Sequence, residues 1–298
     1  MSNAAPDPAG ALECVLDARA SLGESPVWSV AEQALYWVDI NAPALNRFDP
    51  ATGTNSAMPM PESIGCVALR RGGGFVVALR GGIWTARADG TLERKLADAH
   101  YDTATHRFND GRCDPRGRFF AGAMNEKRDA DSASLVRLDA DGRLVTALSG
   151  MMISNGLAWS PDGRTMYHAD TPKLTIHACD YDAATGTPGS RRVFHRFADP
   201  TQRPDGGAVD SEGCYWTAFY GGGRIARLSP AGELLDEYPV PAMCPTMCAF
   251  GGRDLTTLYV TSARQLRNAD EVARLPHSGG IFAMRVPVPG LPEPAYAG

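Results

Sequence analysis

The chain has no uninterrupted apolar run longer than a few residues, so no segment of about 20 apolar residues is there to cross a membrane as a helix. It has no block of like charge either. Its 29 Lys and Arg stand against 34 Asp and Glu, a net charge of −5 over 298 residues, which disfavours a nucleic-acid or anionic-membrane partner. Residues 1–10 lack a basic stretch followed by an apolar one, so they are not expected to direct secretion. They read as a flexible N-terminal segment of a cytoplasmic protein. The seven cysteines, Cys14, Cys66, Cys113, Cys179, Cys214, Cys244 and Cys248, are odd in number and scattered, as free thiols are. The one close pair, Cys244 and Cys248, lacks further Cys or His at zinc-site spacing. There is no Gly-x-Ser-x-Gly elbow, no phosphate-cradling Gly-rich loop before Lys, and no His-Glu-x-x-His. Gly221-x-Gly223-x-x-Ala226 has the letters of a dinucleotide fingerprint but no helix after it, so it reads as a hairpin. Amphipathic-helix patterning is nearly absent, apart from a short stretch at residues 268–274. What remains is a chain whose expected partner is a small molecule.

Turn formers are abundant, with 32 Gly and 22 Pro, and they are spaced. Six apolar runs rich in aromatic and β-branched residues lie at 34–39, 74–79, 118–123, 165–170, 214–219 and 257–262, the composition of buried strands. Their anchors Tyr36, Phe75, Phe119, Met166, Tyr215 and Leu258 recur every 39–49 residues. A second run follows each and stops at Gly53, Gly90, Gly142, Gly186, Gly232 or Gly290, where glycine supplies the backbone freedom of a reversal. A third run precedes each anchor, giving four strands per unit. Four-stranded units at this period predict an all-β, six-bladed β-propeller of antiparallel blades. Residues 12–20 belong to no unit and are expected to pair with the last blade, which closes the ring and removes its open edge. The expectation is one domain over 11–298.

In a propeller the residues that open the innermost strands meet at one end of a central channel. Counting back ten to twelve positions from each anchor gives Glu24, Ile64, Asn109, Asn155, Asp205 and Thr246. Two carboxylates and amide oxygens brought to one axis would repel and lose hydration unless a cation lies between them. A divalent ion held by Glu24, Asn155 and Asp205 is the simplest answer, and an all-oxygen set suits Ca²⁺, Mg²⁺ or Mn²⁺, with Zn²⁺ and Fe²⁺ open. Each residue also has a plainer reading. Asn155-Gly156 and Asp205-Gly206 have turn letters, as does Asn109-Asp110-Gly111, and Glu24 could be a solvated carboxylate. The repeat frame separates Asp205, which opens a strand, from Pro161-Asp162-Gly163, which falls in a hairpin. Arg107 reads as either a surface arginine or a guanidinium reaching into the channel.

Leu22-Gly-Glu-Ser-Pro-Val-Trp28, Arg107-Phe-Asn-Asp-Gly111, Ser154-Asn-Gly-Leu157 and Pro204-Asp-Gly206 resemble the motifs of the regucalcin (senescence marker protein), gluconolactonase and luciferin-regenerating enzyme family, from about residue 12 to 286, nearest its bacterial sugar-lactonase branch. The resemblance implies a six-bladed propeller with one catalytic divalent metal on Glu24, Asn155 and Asp205. It implies Arg107 and Asn109 as ligands of substrate hydroxyls. Some members add a glutamate there, which maps to Glu126 in Met124-Asn-Glu-Lys127, or to Lys127 by simple counting. The implied activity is metal-dependent hydrolysis of a sugar lactone to the aldonic acid, with Asp205 as general base, in a monomer or weak homo-oligomer. A calcium-binding regulatory protein without turnover, an interaction scaffold, and an aryl-ester or phosphotriester hydrolase are the alternatives.

Overall fold

The apolar runs are continuous rather than alternating because the strands they form are covered on both faces. Ala34–Asp39 is buried at every residue, as are Phe75–Leu79, Phe119–Asn125 and Tyr215–Phe219. Each is the second strand of a four-stranded antiparallel sheet, and neighbouring sheets pack face to face around a central axis. The computed structural model describes residues 10–298; residues 1–9 of the expected N-terminal segment lie outside the described residues. There are six such sheets, the β-propeller expected from the repeat.

The innermost strands are Gly23–Ser29, Ile64–Leu69, His106–Cys113, Ser154–Trp159, Pro204–Val209 and Pro245–Gly251, one for each of blades 1 to 6. Each touches the next around the axis, and the first touches the last. Most of the outermost strands are more polar and more exposed than the inner ones. Leu92–Asp98, for example, presents Glu93, Arg94 and Lys95 to solvent, and charge on an edge strand discourages pairing with other chains.

Ring closure follows the expected route. Glu13–Leu16 is the outer strand of blade 6, antiparallel to Ile281–Arg285, with Cys14 opposite Phe282. Aromatic packing reinforces the seam. Trp28 of blade 1 stacks on Tyr259 of blade 6 at 5.5 Å between ring centroids, a contact worth about 1 kcal/mol beyond its buried area.

One detail of the repeat is corrected. Gly53, Gly90, Gly142, Gly186 and Gly232 all have positive φ at their reversals, but Gly290 does not. Blade 6 borrows its outer strand from the N-terminus, so the chain makes no hairpin there. Gly290 instead bridges to Asp210 and starts a tail that crosses the end of the channel where the inner strands finish. There the Glu293 carboxylate pairs with Arg112 at 3.1 Å and the Tyr296 hydroxyl donates to the Asp139 carbonyl. The short helix is Ala269–Arg274, capped by the Asn268 side chain accepting from the Glu271 N–H. All seven cysteines are free and all but Cys14 are buried. Among the described residues no helix is long and apolar enough to cross a membrane.

Candidate active site

Every inner strand has a register shift in its opening half. The shifts lie between Glu24 and Val27, Ile64 and Cys66, Phe108 and Gly111, Asn155 and Ala158, Pro204 and Gly207, and Pro245 and Cys248. A bulge breaks strict alternation and re-aims a side chain, so the shift lets residues of a doubly covered strand face the channel. It also explains the turn-like dipeptides. Gly156 has φ +61°, and a Cβ there would overlap the Tyr215 hydroxyl; a Cβ on Gly206 would overlap Met247. The glycines after Asn155 and Asp205 therefore serve bulges at close strand contacts and not hairpins. Blade 1 makes the same conformation with Ser25, at φ 47°, whose Oγ accepts the Val67 N–H at 3.0 Å.

Glu24, Arg107, Asn109, Asn155 and Asp205 line one cavity of about 300 Å³, within the size range of small-molecule sites. All five are buried, at 3–7% exposure. The segments leading to two of them are fixed in the same way. The Asp39 carboxylate accepts the N–H groups of Ser21 and Leu22 at 2.7 and 3.0 Å, just ahead of Glu24. The Asp170 carboxylate accepts the Ile153 N–H at 3.2 Å, just ahead of Asn155. The other two slots found by counting do not reach the cavity. Thr246 donates to the Gly23 carbonyl, and Ile64 is packed in an apolar cluster.

A relay of side chains crosses from blade 3 to blade 4. Arg107 donates to the Asn109 Oδ1 at 2.8 Å, and the Asn109 Nδ2 donates to the Asn155 Oδ1 at 2.7 Å. The Asn155 Nδ2 in turn donates to the Thr171 Oγ1 at 2.7 Å. Both ends of the Asn155 amide are thereby oriented, and its Oδ1 keeps a second lone pair.

The carboxylates are far less satisfied. Glu24 accepts only the Ser25 N–H at 3.2 Å. Among the described residues neither Glu24 nor Asp205 pairs with a Lys, Arg or His. Burial, then the charges of Asp205 and Asp110, hold the Glu24 carboxyl well above the usual carboxylate range. Burial and then Asp110 do the same to Asp205. Two buried acids that resist ionising are costly in a fold, and together with the Asn155 oxygen they are the donors a hard divalent cation takes. Among the described residues no three His, Cys, Asp or Glu side chains gather as a metal site, so the amide of Asn155 is indispensable to such a set.

Neither Glu126 nor Lys127 lines the cavity. The Glu126 carboxylate is clasped by both terminal nitrogens of Arg80, at 2.7 and 2.9 Å, and lies 3.8 Å from the Arg107 Nε. The next residue along, Arg128, lines the cavity instead, together with Arg203, which directly precedes Pro204-Asp205. Arg203 had a signal in its adjacency to the motif. Arg128 had none, because only the shape of its loop brings it in.

With this geometry in view, the family described as SMP-30/Gluconolactonase/LRE-like region matches residues 22–264. The chain belongs to this family. It is 50% identical over 288 residues, 96% of this chain and 99% of the other, to a Pseudomonas putida protein named 6-deoxy-6-sulfogluconolactonase. It is 37% identical over 294 residues to regucalcin of Gallus gallus, covering 96% of this chain and 98% of that one. A crystal structure of a calcium-binding regucalcin from Agrobacterium tumefaciens superposes with a TM-score of 0.91 over 97% of both chains, at 28% identity. The family match begins at Leu22 and ends at Arg264, so it spans Glu24, Arg107, Asn109, Asn155 and Asp205 and leaves out the strand that closes the ring.

Proposed function

We propose that this member of the SMP-30/gluconolactonase family hydrolyses sugar lactones, using one divalent cation held by Glu24, Asn155 and Asp205. The observation that carries the reading is the pair of buried carboxylates, neither with a cationic side-chain partner among the described residues, beside the Arg107–Asn109–Asn155 relay in a single cavity. The names of its relatives support the substrate class, of which the sulfonated lactone in the Pseudomonas putida protein's name is one member.

When bound, the cation supplies Lewis-acid polarisation of the ester carbonyl. The protein does the rest. Asp205 is the general base, taking a proton from the attacking water as it adds to the carbonyl carbon and returning it to the ring oxygen as the acyl C–O bond breaks, which leaves a carboxylic acid and a hydroxyl. Arg107 and Asn109 bind ring hydroxyls and hold the ester in line with that water, a positioning effect that separates sugar lactones from plain esters. Met124, Ile153 and Pro172 line the same cavity, and their apolar surface limits bulk water around the base, which strengthens every polar contact inside.

The test is turnover with the cation removed and restored. Protein stripped with chelator should not open glucono-, xylono-, arabinono- or galactonolactone, and Mn²⁺, Zn²⁺, Ca²⁺, Mg²⁺ or Fe²⁺ should restore acid release. Full activity of the stripped protein would refute the metal role. Failure on every lactone, with activity on aryl esters or phosphotriesters, would move the same site to another ester class. Binding of Ca²⁺ with no turnover at all is the outcome expected of a regulatory calcium binder, and the calcium-binding regucalcin among its structural relatives gives that reading its support.

A further inference from the structure

The cavity contains more positive charge than lactone hydrolysis uses. Arg128 and Arg203 line it beside Arg107. Arg107 and Arg80 share the Glu126 carboxylate, at 3.8 and 2.7 Å. Neither Arg128 nor Arg203 meets a carboxylate among the described residues. A divalent cation would match the charges of Glu24 and Asp205, leaving both arginines uncompensated in the wall.

The half-buried Arg203 is held by its side chain, and the exposed Arg128 by its backbone. The Arg203 Nε donates to the Tyr220 carbonyl at 3.1 Å, and its guanidinium lies over the Tyr220 ring at 5.8 Å from the centroid. Room for it depends on Gly221, since a Cβ there would overlap a terminal nitrogen of Arg203. That leaves the two terminal nitrogens with their donors unspent. Arg128 has a left-handed backbone at φ 54°, which is sterically unfavourable for a residue with a long side chain. Its loop is built on the buried side chain of Asn125, which donates to Asp129 at 2.8 Å and accepts the Lys127 N–H at 3.0 Å. A strained backbone fixed by a dedicated polar residue, placing an unpaired guanidinium at a cavity, is what a ligand-reading arginine requires.

We propose that Arg128 and Arg203 form a subsite for a tetrahedral oxyanion, a sulfonate or phosphate carried on the sugar chain. This rests on the lactonase reading and deepens it, making anionic aldonolactones the preferred substrates. Guanidinium groups suit such an anion because each presents several donors in a rigid plane.

Binding of the products reads this without turnover. Calorimetric titrations of the Mn²⁺-loaded protein with gluconate, 6-phosphogluconate and 6-deoxy-6-sulfogluconate compare ligands that share the carboxylate end and differ at the other. The expected result is binding of at least one anionic-tailed ligand about tenfold or more tighter than gluconate. In Arg128→Gln and in Arg203→Gln that ratio should fall by about threefold or more, and Arg203→Lys should keep part of it. A general loss of structure would weaken all three ligands together and leave the ratio alone. Equal binding of the three ligands overturns the proposal, as does an unchanged ratio in glutamine variants that bind gluconate as tightly as the parent does. The tighter of the two anionic ligands identifies sulfonate or phosphate as the group read. A ratio that behaves as expected in a protein that opens no lactone keeps the subsite and removes the hydrolase. Lactone opening with no ratio does the reverse.

Discussion

The side-chain amide of Asn109 donates to the Asn155 Oδ1 at 2.7 Å, across the boundary between blades 3 and 4. Since Asn109 is itself held by Arg107, the orientation of one proposed cation ligand depends on a residue proposed to bind substrate. Metal and substrate subsites are therefore coupled through one amide.

Replacing Asn109 with Leu keeps the branching of the side chain but removes the donor. The Asn155 side chain would then keep only its Thr171 bond, and Arg107 would keep only the Phe108 carbonyl as acceptor. Outer contacts of this type typically contribute about 10- to 100-fold in metal affinity or activity. The expected outcome is a loss of that order in kcat/KM on gluconolactone, with a matching rise in the Mn²⁺ concentration giving half-maximal activity. A change in kcat/KM with no shift in the Mn²⁺ midpoint would uncouple the two.

Asp205→Asn should separate function from stability. It removes the proposed base and one buried negative charge, so turnover should fall to the spontaneous rate of lactone opening. In metal-free protein the same change relieves repulsion with Glu24 and Asp110, both of which bear on this acid cluster. Its melting temperature should match or exceed that of the parent by about 2 °C. Near-normal turnover would exclude Asp205 as base, and a large loss of stability would mean that the carboxylate has a structural partner.

Cation binding should be visible as stabilisation. A ligand at 100 times its Kd contributes about 2.7 kcal/mol to the folded state, which for a chain of this size is several degrees in melting temperature. Adding Ca²⁺ or Mn²⁺ to stripped protein should produce such a shift, and Asp205→Asn and Glu24→Gln should each abolish most of it. Shifts of equal size in parent and variants would put the cation somewhere else.

Much of the candidate site is legible in the sequence, for a geometric reason. A ring of equivalent units converts sequence period into spatial convergence, so Glu24, Asn155 and Asp205 could be paired by counting although about 180 residues separate them. Register decides between hairpin turn and strand at Asn155-Gly156 and Asp205-Gly206, because both dipeptides sit at bulges inside strands. Residues without an equivalent in other blades were beyond that method. Arg80 captures Glu126 from 46 positions away, and nothing in the repeat marks a loop residue of blade 2 as the partner of one in blade 3. Arg128 and Gly290 escaped for the same reason: an irregular loop positions the first, and the borrowed strand of blade 6 frees the second from its expected turn.

The last prediction concerns acid sensitivity, and its sign comes from His168. This residue is fully buried on Thr165–Asp170, with its Nε2 3.0 Å from the Ser154 Oγ and its Nδ1 without a partner among the described residues. Burial, then the charges of His177 and Arg191, depress its pKa from 6.5 to about 3. The unfolded chain therefore binds a proton that the folded chain refuses between those values. The contribution of His168 to stability is complete above pH 6.5 and declines as the pH falls toward about 3, at a limiting slope of about 1.4 kcal/mol per pH unit. Urea unfolding at pH 7.5, 6 and 5 measures that slope. His168→Gln retains an amide to bond Ser154 and has no proton to gain, so its stability should fall less steeply with acid, by close to one proton's worth, whatever its stability at pH 7.5. Identical slopes in the two proteins would show that His168 is protonated in the folded state as readily as in the unfolded one, and that other groups such as His100, held near pKa 4 mainly by burial, carry the acid response.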